Sequence, residues 1–397
     1  MGVSLEERIN EVNQRANRMK SNDTFFWLKA IKNSSKSRVI VDQKEKIMLA
    51  SYNYLGLIDH PRLKAAAKEA IDTYGTGTAG VRFLSGTTEI HQKLEDKIAQ
   101  FKGAEDAITY TSGYVTNLAV ITSLYQRGDL VVMDKIDHAS IIDGSILSGA
   151  RFKTFVHNDM ERLEKILADS NDYINKIVIV DGVYSMDGDI ANLPEISRIA
   201  KKYDAKVMVD EAHSIGVLGE TGHGIEEHFG LEDAVDIHMG TLSKTIPSVG
   251  GYVAGKKPMI DYLRHNSRPF IFSAPLPPMN AAAAKACLEV IEEEPERVAR
   301  LHRNTERFRE GIRQLGYDTG QSETAIVPIM IGEEELTLQL CKKVNEEGVF
   351  ICPIVYPAVS KETSRLRSHV LSHHTQADID EAIEIFKNAG IALGIIS

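Results

Sequence analysis

A lysine and an upstream aspartate in this sequence have the types and spacing to hold an aldehyde cofactor. Lys244 follows Gly240-Thr241-Leu242-Ser243, and Asp210 closes an earlier apolar run, Val207-Met208-Val209. A lysine amine condenses with the aldehyde of pyridoxal phosphate, and a carboxylate keeps the pyridine nitrogen protonated so that the ring withdraws electrons. The hydroxyls of Thr241 and Ser243 flank the lysine and can donate hydrogen bonds to a phosphate. The alternative is a surface lysine beside a strand end, since most lysines are exposed.

Two histidines have positions that suit the same chemistry. His138 follows Asp137 just past the end of a predicted strand, where an imidazole can stack on a pyridine ring. His213 comes three residues after Asp210 and can reach the phenolic oxygen of the cofactor. A purely structural histidine is the alternative at position 138. The remaining histidines do not form an H-E-x-x-H pattern, so no metal site is predicted.

A predicted strand-to-helix junction supplies a candidate phosphate site. Ser112-Gly113-Tyr114 follow the predicted strand 107–110 and begin a helical pattern. The backbone N–H groups at the start of a helix bind anions, and a glycine permits close approach. Such junctions are common, so this signal depends on the nearby lysine motif.

A glycine motif in residues 75–80 matches G-x-G-x-x-G but lacks its required context. The dinucleotide-binding motif has a strand before it and a helix after it. Here the preceding residues, 63–74, have helical periodicity, and residues 81–86 do not. We therefore reject a dinucleotide site and expect the glycines to form a loop that approaches a ligand or a neighbouring subunit closely.

Short apolar runs that alternate with helical patterns must position these residues. The predicted strands are residues 107–110, 130–134, 152–156, 177–181, 206–210 and 251–254. Their nearly continuous apolar character is typical of strands buried on both faces of a mostly parallel sheet, and the alternation predicts an α/β architecture. Asp134, Asp181 and Asp210 end three of these strands, where ligands of open α/β sheets bind.

Length and composition predict two unequal domains and a short arm. We expect a charged helical N-terminal arm in residues 1–45, a large domain in 46–285 and a smaller α+β domain in 286–397, because Pro275, Pro277 and Pro278 mark a break.

Charge and cysteine usage exclude several classes of function. The formal charge of −10 argues against a nucleic-acid partner. The polar N-terminus does not resemble a signal peptide, and no apolar run reaches the roughly 20 residues that span a bilayer. Cys287, Cys341 and Cys352 form no C-x-x-C pair, which fits a reducing compartment. The expected location is the cytoplasm.

Ordered motifs along nearly the whole chain resemble the α-oxoamine synthase family of fold-type I pyridoxal-phosphate enzymes. These motifs are Ser51–Gly56, Gly86-Thr87 with His91, Asp137–Gly144, Asp181–Asp189, Asp210–Ser214 and Gly240–Lys244. The resemblance implies an α/β fold with a mostly parallel seven-stranded sheet in the large domain and a smaller α+β C-terminal domain. It also implies pyridoxal 5'-phosphate as the cofactor.

The resemblance implies roles for the residues around the cofactor ring. Lys244 would carry the Schiff base, Asp210 would pair with the pyridinium nitrogen and His138 would stack on the ring. His213 and Ser185 would bond near the phenolic oxygen.

It implies roles for the phosphate and substrate residues as well. Ser112, Gly113, Tyr114 and Thr241 would hold the phosphate, with the Ser243 hydroxyl beside them. Ser273 matches a position from which the neighbouring subunit contacts the phosphate, which implies a homodimer with shared active sites. Asn53 and Arg367 match positions that bind the amino-acid carboxylate, a task that suits a planar guanidinium.

The implied reaction joins serine, glycine or alanine to an acyl thioester of coenzyme A or of an acyl carrier protein, with loss of carbon dioxide, and gives an α-aminoketone. The motifs favour a serine palmitoyltransferase-like activity. The alternatives are a glycine acetyltransferase, an oxononanoate synthase, an aminotransferase and a non-catalytic partner subunit. The chain departs from the family pattern at Pro247, which fixes its own φ and stiffens the loop after the lysine.

Overall fold

The computed structural model describes residues 3–33 and 36–397. The helices are α1 (Leu5–Ser21), α2 (Pro61–Tyr74), α3 (Glu89–Lys102), α4 (Gly113–Leu124), α5 (Ala139–Ser148), α6 (Met160–Ala168), α7 (Leu193–Lys202), α8 (Ile225–Phe229), α9 (Lys257–Asn266), α10 (Arg268–Ile271), α11 (Pro278–Glu293), α12 (Glu296–Gln314), α13 (Glu334–Glu347) and α14 (Gln376–Ala392). The strands are β1 (Arg38–Val41), β2 (Lys44–Met48), β3 (Asp106–Tyr110), β4 (Leu130–Asp134), β5 (Arg151–Phe155), β6 (Lys176–Asp181), β7 (Lys206–Asp210), β8 (Ile237–Ser243), β9 (Pro247–Gly255), β10 (Ile326–Gly332), β11 (Val349–Phe350), β12 (Pro353–Ile354) and β13 (Ser364–His369).

Contacts divide the chain into two compact units. The large unit comprises Tyr52–His302 and Glu323–Ala325, and the small unit comprises the residues up to Ser51, Arg303–Ser322 and Ile326–Ser397. These bounds differ from the expected 1–45, 46–285 and 286–397. The large unit extends past 285 because α11 packs against α2 and α3. The N-terminal residues belong to the small unit, where β2 pairs with β11.

A single mixed sheet forms the centre of the large unit. Within residues 106–255, all of which are described, seven strands lie in the order β3-β9-β8-β7-β6-β4-β5. The pairs from β8 through β5 are parallel, and β9 is antiparallel to both of its neighbours. This confirms the mostly parallel seven-stranded sheet. It follows that the carboxyl ends of β4, β6 and β7 lie along the same edge.

The apolar runs of the sequence form the interior of this sheet. Val131, Met133, Ile177, Ile179 and Met208 are fully buried and belong to one cluster with residues of α4 and α5. Strands covered on both faces need apolar side chains at successive positions, which is why these runs do not alternate.

Strand β8 was absent from the sequence prediction. Its residues, Ile237–Ser243, include a histidine, a glycine, a threonine and a serine, which weakens the apolar signal. The strand forms because β7 and β9 pair with its two edges. Strand β8 ends at Ser243, so Lys244 lies in the short hairpin between β8 and β9. Pro247 is the first residue of β9, and proline is tolerated at the first position of a strand.

The glycine motif of residues 75–80 lies in a loop, as the sequence predicted. Residues 75–80 follow α2 and precede an irregular segment, so no strand leads into them. The strand that the dinucleotide-binding motif requires before its glycines is therefore replaced by a helix.

The small unit contains two three-stranded sheets, β1-β2-β11 and β10-β13-β12, among its described residues. Its core includes Phe308, Ile329, Leu340, Leu366 and Phe386, which are all buried. Among the described residues of the whole chain, no helix combines the length and apolar character that crossing a bilayer requires.

Candidate active site

A cavity of about 320 Å³ in the large unit brings most of the predicted residues together. Its lining contains nearly all residues that were expected to bind the cofactor: Ser112, Gly113, Tyr114, His138, Ser185, Asp210, His213, Thr241, Ser243 and Lys244. One further lining residue, Asp181, was expected at a ligand-binding strand end, and five residues without a predicted role complete the cavity: Asn117, Ser140, Val183, Ala212 and Met239. The volume lies within the roughly 300–1,000 Å³ typical of small-molecule sites.

Lys244 is positioned by the end of β8 and by a buried histidine. Its Nζ lies 2.9 Å from His213 Nε2 and 5.6 Å from the ring centre of Tyr52. The other ring nitrogen of His213, Nδ1, lies 2.8 Å from the hydroxyl of Tyr54. His213 and Tyr54 are both buried. The lysine amine, the imidazole and the phenol therefore form one continuous line of polar contacts.

Asp210 is held at the end of β7 by two donors. Its Oδ1 accepts the backbone N–H of Ala212 at 2.9 Å, and its Oδ2 accepts from Asn117 Nδ2 at 2.7 Å. Asn117 Nδ2 also lies 2.9 Å from Ser140 Oγ, which in turn lies 2.7 Å from His138 Nδ1. Hydrogen bonds to the ionised form favour a carboxylate. Asn117 thus connects the carboxylate to the ring that was predicted to stack on the cofactor.

His138 caps the start of α5, with its Nδ1 facing the backbone N–H of Ser140. Partial burial lowers the pKa of His138 overall; Asp210 acts to raise this pKa, and Lys244 acts to lower it. The ring is therefore neutral near pH 7, which suits stacking on an aromatic cofactor.

Two further aspartates lie close to His138: Asp137 directly precedes it, and Asp181 interacts with its backbone. Burial, together with neighbouring carboxylates, raises the pKa of both Asp137 and Asp181 well above the usual range. Asp137 accepts the backbone N–H groups of Asp181 and Asp134 at 2.8 and 2.9 Å. A raised pKa favours the neutral form of both side chains, which limits the negative charge buried at this end of the sheet.

The start of α4 and the end of β8 form the anion side of the cavity. Ser112 caps α4, and its hydroxyl accepts the N–H of Val115 at 3.1 Å. Thr241 Oγ1 lies 2.8 Å from Ser243 Oγ. A Cβ atom at Gly113 would lie only 2.9 Å from Thr241 Oγ1, so the helix start approaches β8 closely because residue 113 has no side chain.

The donor set and the open polar atoms fit pyridoxal phosphate. N–H groups and hydroxyls suit the phosphate, Asp210 suits the pyridine nitrogen and Lys244 suits the aldehyde. Two buried oxygens of cavity-lining residues, Asn117 Oδ1 and Asp181 Oδ1, have no hydrogen-bond partner among the residues that the structure describes. The cavity therefore offers polar groups that a polar ligand can satisfy.

Three predicted residues do not line this cavity. Ser273 is half-buried, and its hydroxyl donates to the carbonyl oxygen of Ala274 at 3.4 Å. Asn53 is buried, and its Oδ1 accepts the N–H groups of Leu57 and Ile58, which stabilises the local turn. Arg367 lies on β13 of the small unit. Their roles toward the cofactor and substrate stay predictions.

Residues 44–386 match the family described as aminotransferase class I and II. The 8-amino-7-oxononanoate synthase of Thermoanaerobacter pseudethanolicus is 46% identical over 386 residues, which cover 97% of this chain and 98% of that protein.

Two solved serine palmitoyltransferases share the fold. The enzyme of S. paucimobilis, bound to a pyridoxal phosphate–myriocin adduct, is 33% identical with a TM-score of 0.96, and the match covers 99% of this chain and 100% of that one. The enzyme of Sphingomonas wittichii is 32% identical with a TM-score of 0.95 and full coverage of both chains. These similarities confirm the predicted fold type and cofactor. The chain belongs to the aminotransferase class I and II family, within its α-oxoamine synthases, and is a pyridoxal-phosphate-dependent acyltransferase.

Proposed function

We propose that this chain condenses a small amino acid with an acyl thioester, releases carbon dioxide and the free thiol, and forms an α-aminoketone. The observation that carries the proposal is the convergence of Lys244, Asp210, His138 and His213 on one cavity. The amino acid is serine, glycine or alanine. The 46% identity to an oxononanoate synthase supports that type of substrate pair, and the TM-score of 0.96 supports a serine palmitoyltransferase-like pair.

The residues of the cavity divide the work of holding the cofactor. The N–H groups at the start of α4, with the hydroxyls of Ser112 and Thr241, bind the phosphate. Asp210, which accepts a hydrogen bond from Asn117, would hold the pyridine nitrogen. When bound, pyridoxal phosphate supplies an electron-withdrawing ring that stabilises negative charge on the amino-acid Cα.

The chain itself performs the proton movements. Lys244 Nζ removes the proton from the substrate Cα and later returns one to the product, because an amine in this position acts as a general base and then as a general acid. The neutral ring of His138 covers the cofactor and excludes water from the reacting atoms. Asn53 and Arg367 bind the amino-acid carboxylate.

The proposed functional form is a homodimer in which Ser273 reaches the partner's phosphate. Phe272, next to it, is 73% exposed, and Leu84 is 82% exposed. Apolar side chains left open in this way are typical of surfaces that another chain covers. Mixing subunits that carry Lys244→Ala with subunits that carry Ser273→Arg tests this arrangement. A mixed dimer should regain activity at one intact site, whereas no regain over either parent would contradict shared sites.

Carbon dioxide release from carboxyl-labelled amino acids tests the reaction. The holoenzyme is supplied with labelled serine, glycine or alanine, each with and without palmitoyl-coenzyme A, pimeloyl-coenzyme A or an acylated carrier protein. Release must require both an amino acid and a thioester, and the fastest pair identifies the substrates. Lys244→Arg, which keeps the charge, is the control and should be inactive. Thioester-independent transfer of nitrogen to a keto acid would identify an aminotransferase instead and overturn the proposal.

A further inference from the structure

The contact between Tyr54 and His213 points to a residue that acts on the lysine without touching it. We propose that Tyr54 is a positioning residue that fixes the tautomer of His213 and thereby favours the neutral amine of Lys244. The inference builds on the proposed function because it assumes that Lys244 is the amine that takes up the cofactor.

The first step concerns the polarity of the Tyr54–His213 hydrogen bond. The phenol oxygen and His213 Nδ1 lie 2.8 Å apart, and both side chains are buried. A neutral imidazole has one N–H donor and one acceptor nitrogen. A phenol is a good O–H donor and a weak acceptor, because its oxygen lone pair is delocalised into the ring. Tyr54 therefore donates to Nδ1, and the ring proton is placed on Nε2.

The second step concerns the amine. His213 Nε2 lies 2.9 Å from Lys244 Nζ. With a proton on Nε2, the imidazole is the donor in this contact, and the amine must accept. An ammonium has three donors and no acceptor, so its N–H groups would face the N–H of Nε2 without forming a hydrogen bond. A neutral amine has a lone pair that accepts the Nε2 proton. If the imidazole carried a proton on both nitrogens beside a Lys244 ammonium, two positive charges would lie 2.9 Å apart, which is unfavourable.

The third step links this arrangement to the chemistry. Only a neutral amine is a nucleophile toward an aldehyde and a base toward a carbon acid. The family resemblance places His213 near the phenolic oxygen of the cofactor, and a proton on Nε2 would let the ring donate to that oxygen. The same tautomer of His213 would thus donate a hydrogen bond to Lys244 in the cofactor-free protein and to the cofactor after the cofactor has bound.

Removing the Tyr54 hydroxyl should reverse the preference. In Tyr54→Phe, Nδ1 loses its donor and can carry the ring proton. Nε2 then accepts from the Lys244 ammonium and stabilises it. The pH at which the free amine appears should rise by about one unit, so that uptake of pyridoxal phosphate near neutral pH slows about tenfold.

The rate of cofactor uptake measures this directly. The full-length chain is freed of cofactor, mixed with pyridoxal phosphate at a series of pH values, and followed by the absorbance of the lysine-bound form. Tyr184→Phe is the matched control, since it removes an equally buried phenol hydroxyl that bonds to Asp134 at 3.1 Å, away from His213. The control should keep the wild-type midpoint. An unchanged or lower midpoint in Tyr54→Phe would overturn the inference.

Two additional measurements make the result independent of folding and of the proposed reaction. In a His213→Gln background, Tyr54→Phe should have no further effect on uptake, because its influence passes through the imidazole. The ¹⁵N shifts of His213 in the cofactor-free wild type should show a protonated Nε2, and a protonated Nδ1 would refute the tautomer. If the wild type bound no pyridoxal phosphate at Lys244, the proposed function would fail, whereas normal uptake with an unshifted midpoint would refute only the role of Tyr54.

Discussion

The contact between Asn117 and Asp210 gives a quantitative prediction for the active site. Asn117 Nδ2 donates to Asp210 Oδ2 at 2.7 Å and lies 2.9 Å from Ser140 Oγ, and all three residues are buried. Replacing Asn117 with leucine keeps the approximate size and removes this donor. A hydrogen bond to a charged group contributes about 1.5–3 kcal/mol, so a carboxylate that loses it should reduce kcat/KM by roughly 10- to 150-fold.

The assay is the thioester-dependent release of carbon dioxide, measured together with the dissociation constant of pyridoxal phosphate. Thr122→Ala is the matched control, since Thr122 lies on the same helix and is exposed. It should leave both quantities unchanged. A folded Asn117→Leu variant with less than a threefold loss in kcat/KM and unaltered cofactor affinity would show that Asp210 does not depend on Asn117.

Two further predictions concern a buried ion pair and Lys244, the lysine that we propose to be catalytic. Lys102 Nζ lies 2.6 Å from Glu211 Oε2 in the interior, so Lys102→Met should lower the free energy of unfolding by about 3–5 kcal/mol in chemical denaturation. Burial alone would raise the pKa of Glu211, but Lys102 and His238 together lower it to about 2, below its ordinary value of 4.5. On acidification, Glu211 therefore takes up a proton in the unfolded chain before it does so in the folded chain. The difference in the free energy of unfolding between wild type and Lys102→Met should decrease as the pH falls from about 4.5 to 2. A difference that does not change with pH would contradict the pairing. Lys244→Ala should abolish turnover while the melting temperature stays near that of the wild type, and retained turnover would refute the role of the lysine.

The sequence was sufficient to predict the local parts of the site. Asp210 and Asp181 end buried strands, and Ser112 begins a helix, so each position follows from the pattern of its own segment. Parallel strands then bring these ends to one edge, which explains why separate motifs converge on one cavity.

The polar contacts between segments could not be predicted in the same way. Tyr54 and His213 are 159 positions apart, and Asn117 and Asp210 are 93 apart, so no spacing rule connects them. The available signal was weak: Asn117 lies one helical turn after Gly113, on the face that meets the cavity. Both contacts depend on how segments far apart in sequence pack against the end of β7, which the pattern of a single segment does not encode.

The later domain boundary has a similar cause. The prolines before α11 suggested a break, but the small side chains of this helix, including Ala281, Ala282 and Ala284, allow close packing against α2. Burial of that face keeps α11 in the large unit. A composition change therefore marked an irregular segment and not the end of the compact unit.

Borohydride reduction of the holoenzyme, followed by peptide mass spectrometry, tests the central claim most directly. The reduced cofactor should be found on the peptide that contains Lys244, and Asp210→Ala should weaken cofactor binding without moving the attachment to another lysine. Recovery of an unmodified Lys244, or of the cofactor on a lysine outside the cavity, would contradict the assignment of this site.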